Sequence, residues 1–260
     1  MTEADLDFTI WRYLTFSKFI SLLTYQAIWF SKLQILQDQY EGTLPAPAKL
    51  NMHEELQKWK TLFTNPDHHR QIDEMPDRNV EDGRELTVVN CWFLGDQESQ
   101  RMWNEYVGHS EGVAIKSTIR KLCSYIFVYP EVSHIGKVKY VELNKHNMNL
   151  YEANQAHERT FLKDKNRYSH EQEIRLVTMS LKTPMCVNMN GKPLTEQEYT
   201  GKNMNNFDNP GLYIKADLSN LINSIVLAPR TTKWFEMLIR RISELAKLNA
   251  LVERSQIENV

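Results

Sequence analysis

Cysteine is scarce in this chain. There are 3, Cys91, Cys123 and Cys186, widely spaced and with no C-x-x-C pair. Neither a disulfide framework nor a zinc ribbon is built that way, and reduced thiols in a cytoplasmic protein fit best. Glycine-rich phosphate loops are missing as well. No G-x-G-x-x-G and no G-x-x-x-x-G-K-[ST] occurs, so neither a Rossmann cradle nor a P-loop is signalled. H-E-x-x-H is absent, as is the G-x-S-x-G nucleophile elbow. The longest mostly apolar run, FISLLTYQAIWF, falls far short of the ~20 residues that span a bilayer. The opening stretch, MTEADLDFTI, carries acids and no basic cluster, which predicts that it is not a signal peptide. Net charge is nearly absent too. The 31 basic side chains face 33 acidic ones, leaving a formal −2, so no global field draws the protein to nucleic acid or anionic lipid. A local basic groove stays open.

What is present is ordinary globular material. The chain has 260 residues, 42% hydrophobic and 25% charged, enough to bury a real core. FTIWRYL (8–14) reads as a strand, SKFISLLTYQ as a helix with Ser17 a candidate N-cap, and AIWFSKL as a strand. Polar QDQYEGTLPAP (37–47) is a loop, and a helix is expected over roughly 52–63. Residues 64–84 are charged and twice broken by proline, a long excursion or a helix with mobile ends. LTVVNCWFL (86–94) is the best buried strand, followed by a helix capped by Asp96 or Ser99. EGVAIKST, SYIFVY, GKVKYVE, EIRLVTMSL, GLYIKADL and NSIVLAP supply further strands, with a polar helix and loop over 144–165. Residues 185–206 read as a loop with a hairpin, and 234–248 as an amphipathic helix. The pattern predicts one α+β domain over 1–250, a mixed, mostly antiparallel sheet with flanking helices. A polar helical excursion occupies about 48–85 and a tail 251–260.

YSHEQEIRLV (168–177) is the most chemical stretch. On a strand, residues two apart share a face, so Glu171, Glu173 and Arg175 would point together. Arg175 would hold Glu173 ionised. The same alternation also suits a wet surface strand. Arg12 stands inside an apolar strand and needs either an anion or an edge position in water. Ser31 ends the next strand, and Asp38 and Glu41 follow in the loop. Trp103 and Tyr106 share a helix face at i and i+3, a spacing that also serves a core. Glu111 is a candidate by position. His68 and His69, near Asp67 and Asp73, read as a solvated loop rather than a metal cluster.

An ordered series of these motifs resembles a bacterial family catalogued as domain of unknown function 2971. It comprises WRYLTFSKFISLLTYQAIWFS, Q-D-Q-Y-E-G, NCWFLGDQESQRMWNEY…EGVAIKST, VKYVE, KDKNRYSHEQEIRLV and GLYIKADLSNLINSIVLAP. The match covers most of the chain. The loop departs from the family's N/G-D-P-F-E: proline is missing and Tyr40 replaces phenylalanine, while Asp38 and Glu41 keep their places. A looser resemblance is to the mono-ADP-ribosyltransferase fold. Arg12, Ser31 and Glu171-x-Glu173 are similar to its arginine, serine and E-x-E in order and strand placement, with Ser117 an alternative serine.

That second resemblance implies NAD as ligand, with no metal. Glu173 would stabilise positive charge on the ribose, and Glu171 would orient or deprotonate an acceptor. Arg12 would hold phosphate or ribose, Trp103, Tyr106 or Tyr168 would stack on a ring, and Arg175 would position Glu173. The partners would be a nucleotide-like small molecule and a macromolecular acceptor, without membrane; the near-zero net charge counts against nucleic acid but leaves it open. Two rivals stand beside it. One is a non-catalytic binding or adaptor module of a defence or regulatory system. The other is a metal-dependent nuclease using Asp38, Glu41, Glu171 and Glu173 as oxygen ligands.

Overall fold

The computed structural model describes residues 2–108, 111–126, 133–179 and 210–257. The chain opens as read, with strand β1 (Thr9–Thr15), helix α1 (Phe16–Tyr25) and strand β2 (Ala27–Lys32). Helix α1 starts earlier than expected, because Thr15 and not Ser17 holds the N-cap position. It ends at Gln26, which adopts a left-handed conformation at φ 48°.

Two helices form the polar excursion, α2 (Ala46–Lys60) and α3 (Pro66–Leu86). The stretch that read as broken is one continuous helix. Asn65 caps it by accepting from the Asp67 N–H, and Pro66 sits at the first turn, where a missing N–H is harmless. Pro76 lies inside the helix and is buried.

Then come β3 (Thr87–Leu94), α4 (Gln100–Tyr106), β4 (Gly112–Thr118) and α5 (Ile119–Tyr125). Ser99, not Asp96, caps α4 by accepting from Met102 N at 3.3 Å. The strand expected from SYIFVY is helical through Tyr125, and 127–132 lie outside the described residues. Short elements follow: β5 (His134–Lys137), β6 (Lys139–Val141), α6 (Leu150–Asn154), α7 (Ala156–Thr160), β7 (Leu162–Asp164) and α8 (Lys165–Tyr168). Strand β8 (Glu173–Met179) is next, and the reading of 185–206, with Cys186, falls outside the described residues. The chain closes with β9 (Gly211–Lys215), α9 (Leu218–Leu221), β10 (Ser224–Leu227), α10 (Lys233–Leu245) and β11 (Leu251–Arg254).

The tail expected over 251–260 is therefore corrected. Leu251–Arg254 joins the sheet edge as β11, parallel to β10. Arg254 Nε (3.0 Å) and Nη2 (2.6 Å) both donate to Glu236 on α10, and that ion pair fixes the strand.

Among the described residues, nine strands make one sheet in the order β11-β10-β4-β1-β3-β2-β9, with β8 on β3 and β5 on β8. Every pairing in it is antiparallel except β10 with β11, so the mixed, mostly antiparallel α+β class holds. Strands β6 and β7 form a separate parallel pair. One apolar core runs under the whole sheet. It joins Ile10, Phe30, Trp92, Ile115, Ile174, Ile214 and Val252 to Phe19 of α1 and Phe235 of α10.

The sheet forks at β3. Strand β8 fills one edge of β3 from Thr87 to Phe93. The other edge is shared. It pairs with β2 at Val88 and Val89, and with β1 at Phe93 and Leu94. Between those footholds β1 and β2 diverge. One carbonyl seals the gap: Trp29 O accepts from Asn90 Nδ2 at 2.9 Å and from Arg12 Nη2 at 3.0 Å.

A candidate active site around buried carboxylates

The alternation argument for Glu171 and Glu173 meets a correction. Strand β8 begins only at Glu173, and Glu171 belongs to a short 3-10 turn, Ser169–Glu171. Between them Gln172 sits at φ 39°, the left-handed region. That single residue reverses the chain and brings the two carboxylates together by a different route. Lys163 Nζ, on β7, donates to Glu171 Oε2 and, at 3.3 Å, to Glu173 Oε2.

The cluster extends further. Arg175 Nη2 donates to Glu173 Oε2 at 2.9 Å, and Nη1 donates to Glu41 and to the Thr160 carbonyl. Glu41 also lies 4.0 Å from Lys163. The Glu173 N–H donates to Tyr140 Oη at 2.8 Å. All five charged side chains are buried, Arg175 at 0% exposure and Glu41 at 1%. Burial on this scale is tolerable only because each charge is paired and hydrogen-bonded.

Three carboxylates against two cations leave a formal surplus of negative charge, and the cluster resolves it unequally. Burial alone would raise Glu173, yet Arg175 and Lys163 hold it at about 2. Glu171 goes the other way: burial, with repulsion from Glu173, pushes it up against the pull of Lys163. Lys163 and Arg175 are buried but raised above their usual range, because carboxylates surround them.

Tyr106, at the end of α4, points its hydroxyl at Glu171 Oε1, 3.4 Å away. Burial of that hydroxyl and the two glutamates push its pKa up. Tyr168 lies over Lys163, whose Nζ is 4.5 Å from the ring centroid. Asp38 supports the loop: its Oδ1 accepts from Tyr40 N at 3.0 Å and its carbonyl from Glu41 N at 3.1 Å. This Asx-type turn delivers Glu41 to Arg175.

Arg12 reaches the fork, and Cys91 and Tyr106 lie close enough to act on its charge. Burial lowers it to about 10. Its Nη1 is buried and has no hydrogen-bond partner. Lys18 of α1 is lowered as well, by burial and then by Arg12. Among the described residues, no carboxylate pairs with the Arg12 guanidinium at the fork.

Several expected site residues lie elsewhere. Trp103, a candidate for ring stacking, is buried at 2% exposure; its Nε1 donates to Glu98 at 2.7 Å, and its ring packs edge-on against Tyr13. It is core. Ser117 is fully buried and its Oγ donates to the Leu221 carbonyl at 2.6 Å, which removes it as the alternative serine. Ser31 accepts from Trp29 Nε1 at 2.9 Å, and among the described residues no hydrogen bond joins it to the carboxylates. Glu111 is exposed ahead of β4, where its carbonyl accepts from Phe16 N.

Sequence reasoning missed Lys163, Cys91, Tyr140, Glu105 and His170. Cys91 faces Glu173 from β3, and its thiol is pushed up by burial first and by that carboxylate second. His170 Nε2 lies 2.9 Å from Glu105 Oε2 at the rim. Lys163 carried no signal, since a lone lysine in a polar stretch is usually solvated. His170 was visible beside Glu171, but Glu105 is 65 positions away in the chain. Among the described residues, no helix is long and apolar enough to cross a membrane. No model of a known protein family matches the chain, and no curated protein matches it.

Proposed function

We propose that this chain is an ADP-ribosyltransferase-like protein that binds and cleaves NAD, and that it belongs with the bacterial and phage proteins of the family whose motifs it resembles. The observation that carries the reading is the splitting of one carboxylate pair. Glu173 is held at about 2 while Glu171 is pushed up, 2 residues apart in sequence and joined through Lys163. Two carboxylates driven to opposite protonation behaviour mark acid–base and electrostatic roles in one site.

The roles follow from placement. Cleaving the nicotinamide–ribose bond builds positive charge on the ribose, which a fixed anion stabilises. Glu173 is enclosed and anchored, so it supplies the standing negative field. Glu171 meets Tyr106, which is 38% exposed, so it is the carboxylate that reaches a ribose hydroxyl. Arg12 offers its unpartnered Nη1 to a phosphate, replacing a missing anion at the fork. Arg175 and Lys163 position the glutamates.

A second reading has an observation of its own. The buried ion pairs satisfy one another, as a structural ladder in a binding or adaptor module would. The nuclease reading fares worse, because a metal would have to displace Arg175 and Lys163 from Glu41 and Glu173.

The test is incubation with NAD, following free nicotinamide by NMR, with Glu171→Gln and Glu173→Gln alongside and melting curves to confirm folding. Release by the wild type and not by folded Glu171→Gln supports the transferase-like reading. No release, with no shift of the NAD resonances at millimolar ligand, overturns it in favour of the adaptor. Cleavage of nucleic acid that needs Mg²⁺ would favour the nuclease.

A further inference from the structure

The acceptor of the proposed reaction is open, and the rim of the cluster narrows it. His170 is partly enclosed between Glu171 and α4. Its Nε2 lies 2.9 Å from Glu105 Oε2, and Arg101 Nε donates to the other oxygen of that carboxylate at 2.9 Å. Burial would raise Glu105, but the bonds from His170 and Arg101 bring it below the usual glutamate range. An ionised carboxylate only accepts hydrogen bonds, so the shared hydrogen belongs to Nε2. In the neutral ring Nδ1 then keeps its lone pair, and among the described residues no hydrogen bond is made to it. Glu105, His170 and Glu171 each present an atom within 4.8 Å of the others. A carboxylate that fixes the tautomer of an imidazole, beside a substrate-facing group, is the arrangement of a general base.

We propose that His170, oriented by Glu105, is the general base that deprotonates the acceptor, and that the acceptor is a hydroxyl. This rests on the NAD-cleaving reading above. The chemistry selects the acceptor class. A hydroxyl oxygen attacks C1 of the nicotinamide-side ribose through its lone pair while still protonated. Its acidity then rises steeply, and a neutral imidazole takes the proton. A guanidinium has no free lone pair and must first lose a proton held above about 12, for which imidazole is a poor match. The balance closes: the C–N bond breaks with its electron pair on the ring nitrogen, neutral nicotinamide leaves, the C–O bond forms, and the acceptor proton passes to Nδ1 and then to water. Glu105 from α4 and Glu171 from its own segment lie beside His170; behind them Arg101 pairs with Glu105, Tyr106 and Lys163 meet Glu171, and Tyr168 lies over Lys163.

The experiment uses wild type, His170→Gln and Glu105→Gln with NAD, in buffer and in buffer containing methanol, across pH. Nicotinamide, ADP-ribose and methyl ADP-ribose are read by NMR. Imidazole tautomers are read separately by ¹⁵N NMR without NAD, the His170 signal being assigned by its loss in His170→Gln. The wild type is expected to form both products, with a rate that rises with pH as the base loses its proton. His170→Gln should be slower by about 10²- to 10⁴-fold and lose that rise while still binding NAD. Glu105→Gln should lose the fixed Nε2–H tautomer. An unchanged rate and pH profile in His170→Gln, or a ring hydrogen on Nδ1 in the wild type, overturns the role of His170 and leaves the NAD reading standing. No nicotinamide from the wild type overturns both.

Discussion

At the scale of single residues, Glu173 makes the sharpest demand. Its removal takes a carboxylate from two buried cations, Arg175 and Lys163, and leaves them Glu41 and Glu171; breaking a buried pair typically costs about 3–5 kcal/mol. Glu173→Gln is expected to lower stability by that order in urea unfolding. The pH dependence has a definite sign. The folded carboxyl sits at about 2 against an ordinary 4.5, so its stabilisation is complete above 4.5 and is lost as pH falls toward 2. Unfolding followed between those limits should show an acid limb that is shallower in Glu173→Gln. Glu171 works in the opposite direction and in another window: its raised pKa favours the protonated folded state as pH falls toward 4.5, so Glu171→Gln should remove that gain above 4.5 and leave the limb below it largely unchanged. Arg159 poses a different problem. It is buried at 1% exposure, and its guanidinium donates to Gly42 O (3.0 Å), Asn79 Oδ1 (2.8 Å) and Asn79 O (3.1 Å) with no carboxylate among its partners. Burial accordingly lowers it to about 10. A lysine there presents its donors from one atom and leaves carbonyls unmet, so Arg159→Lys should cost on the order of 3 kcal/mol, read from the unfolding midpoint.

At the scale of elements, two short pieces of backbone decide whether the site exists. Gln172 holds the turn that brings Glu171 to Lys163. A β-branched residue is a true outlier in the left-handed region, so Gln172→Val should cost about 1–2 kcal/mol in thermal unfolding, while Gln172→Gly keeps the fold. Gly211 begins β9 against β2. A Cβ there would stand 2.1 Å from the Phe30 carbonyl, which is backbone and cannot yield. Gly211→Ala should lose about 1–3 kcal/mol or more and loosen the β2–β9 ladder, seen as faster amide exchange across 27–31. These elements also show what the sequence reveals. The cores of β1, β3 and β8 were legible because β-branched and aromatic residues mark strands locally. Helix α10 was legible from its apolar stripe. The convergence of Glu171 with Glu173 was anticipated, but through a continuous strand that Gln172 interrupts. The Glu41–Arg175 pair spans 134 positions, and no local pattern encodes it. Strand β11 escaped notice because LVER is short, and it takes its place only through pairing with β10 and the anchor to Glu236.

At the scale of the whole molecule, the C-terminal segment is a brace. Strand β11 covers the edge of β10, Arg254 holds Glu236, and Ser255 Oγ donates to Glu98 at 2.8 Å while Gln256 N donates to its other oxygen. Glu98 also holds Trp103 of α4, the helix that carries Tyr106. Removing residues 251–260 is expected to lower the melting temperature by roughly 5–10 °C, since a loss of several kcal/mol is worth about 2–4 °C each at this size. The forked sheet has a mechanical corollary. The β1-β4-β10-β11 wing and the β2-β9 wing each bond to β3, at opposite ends of one edge. A swing of one wing about β3 would leave every ladder within each wing intact; the shared apolar core, the Ile126–Ala216 bridge and the Arg12–Trp29 bond would resist it. Arg12 is thus a polar tie that crosses the gap from β1 to β2. An anion that claims that guanidinium would act on the stiffness of the entire sheet as well as on its own affinity.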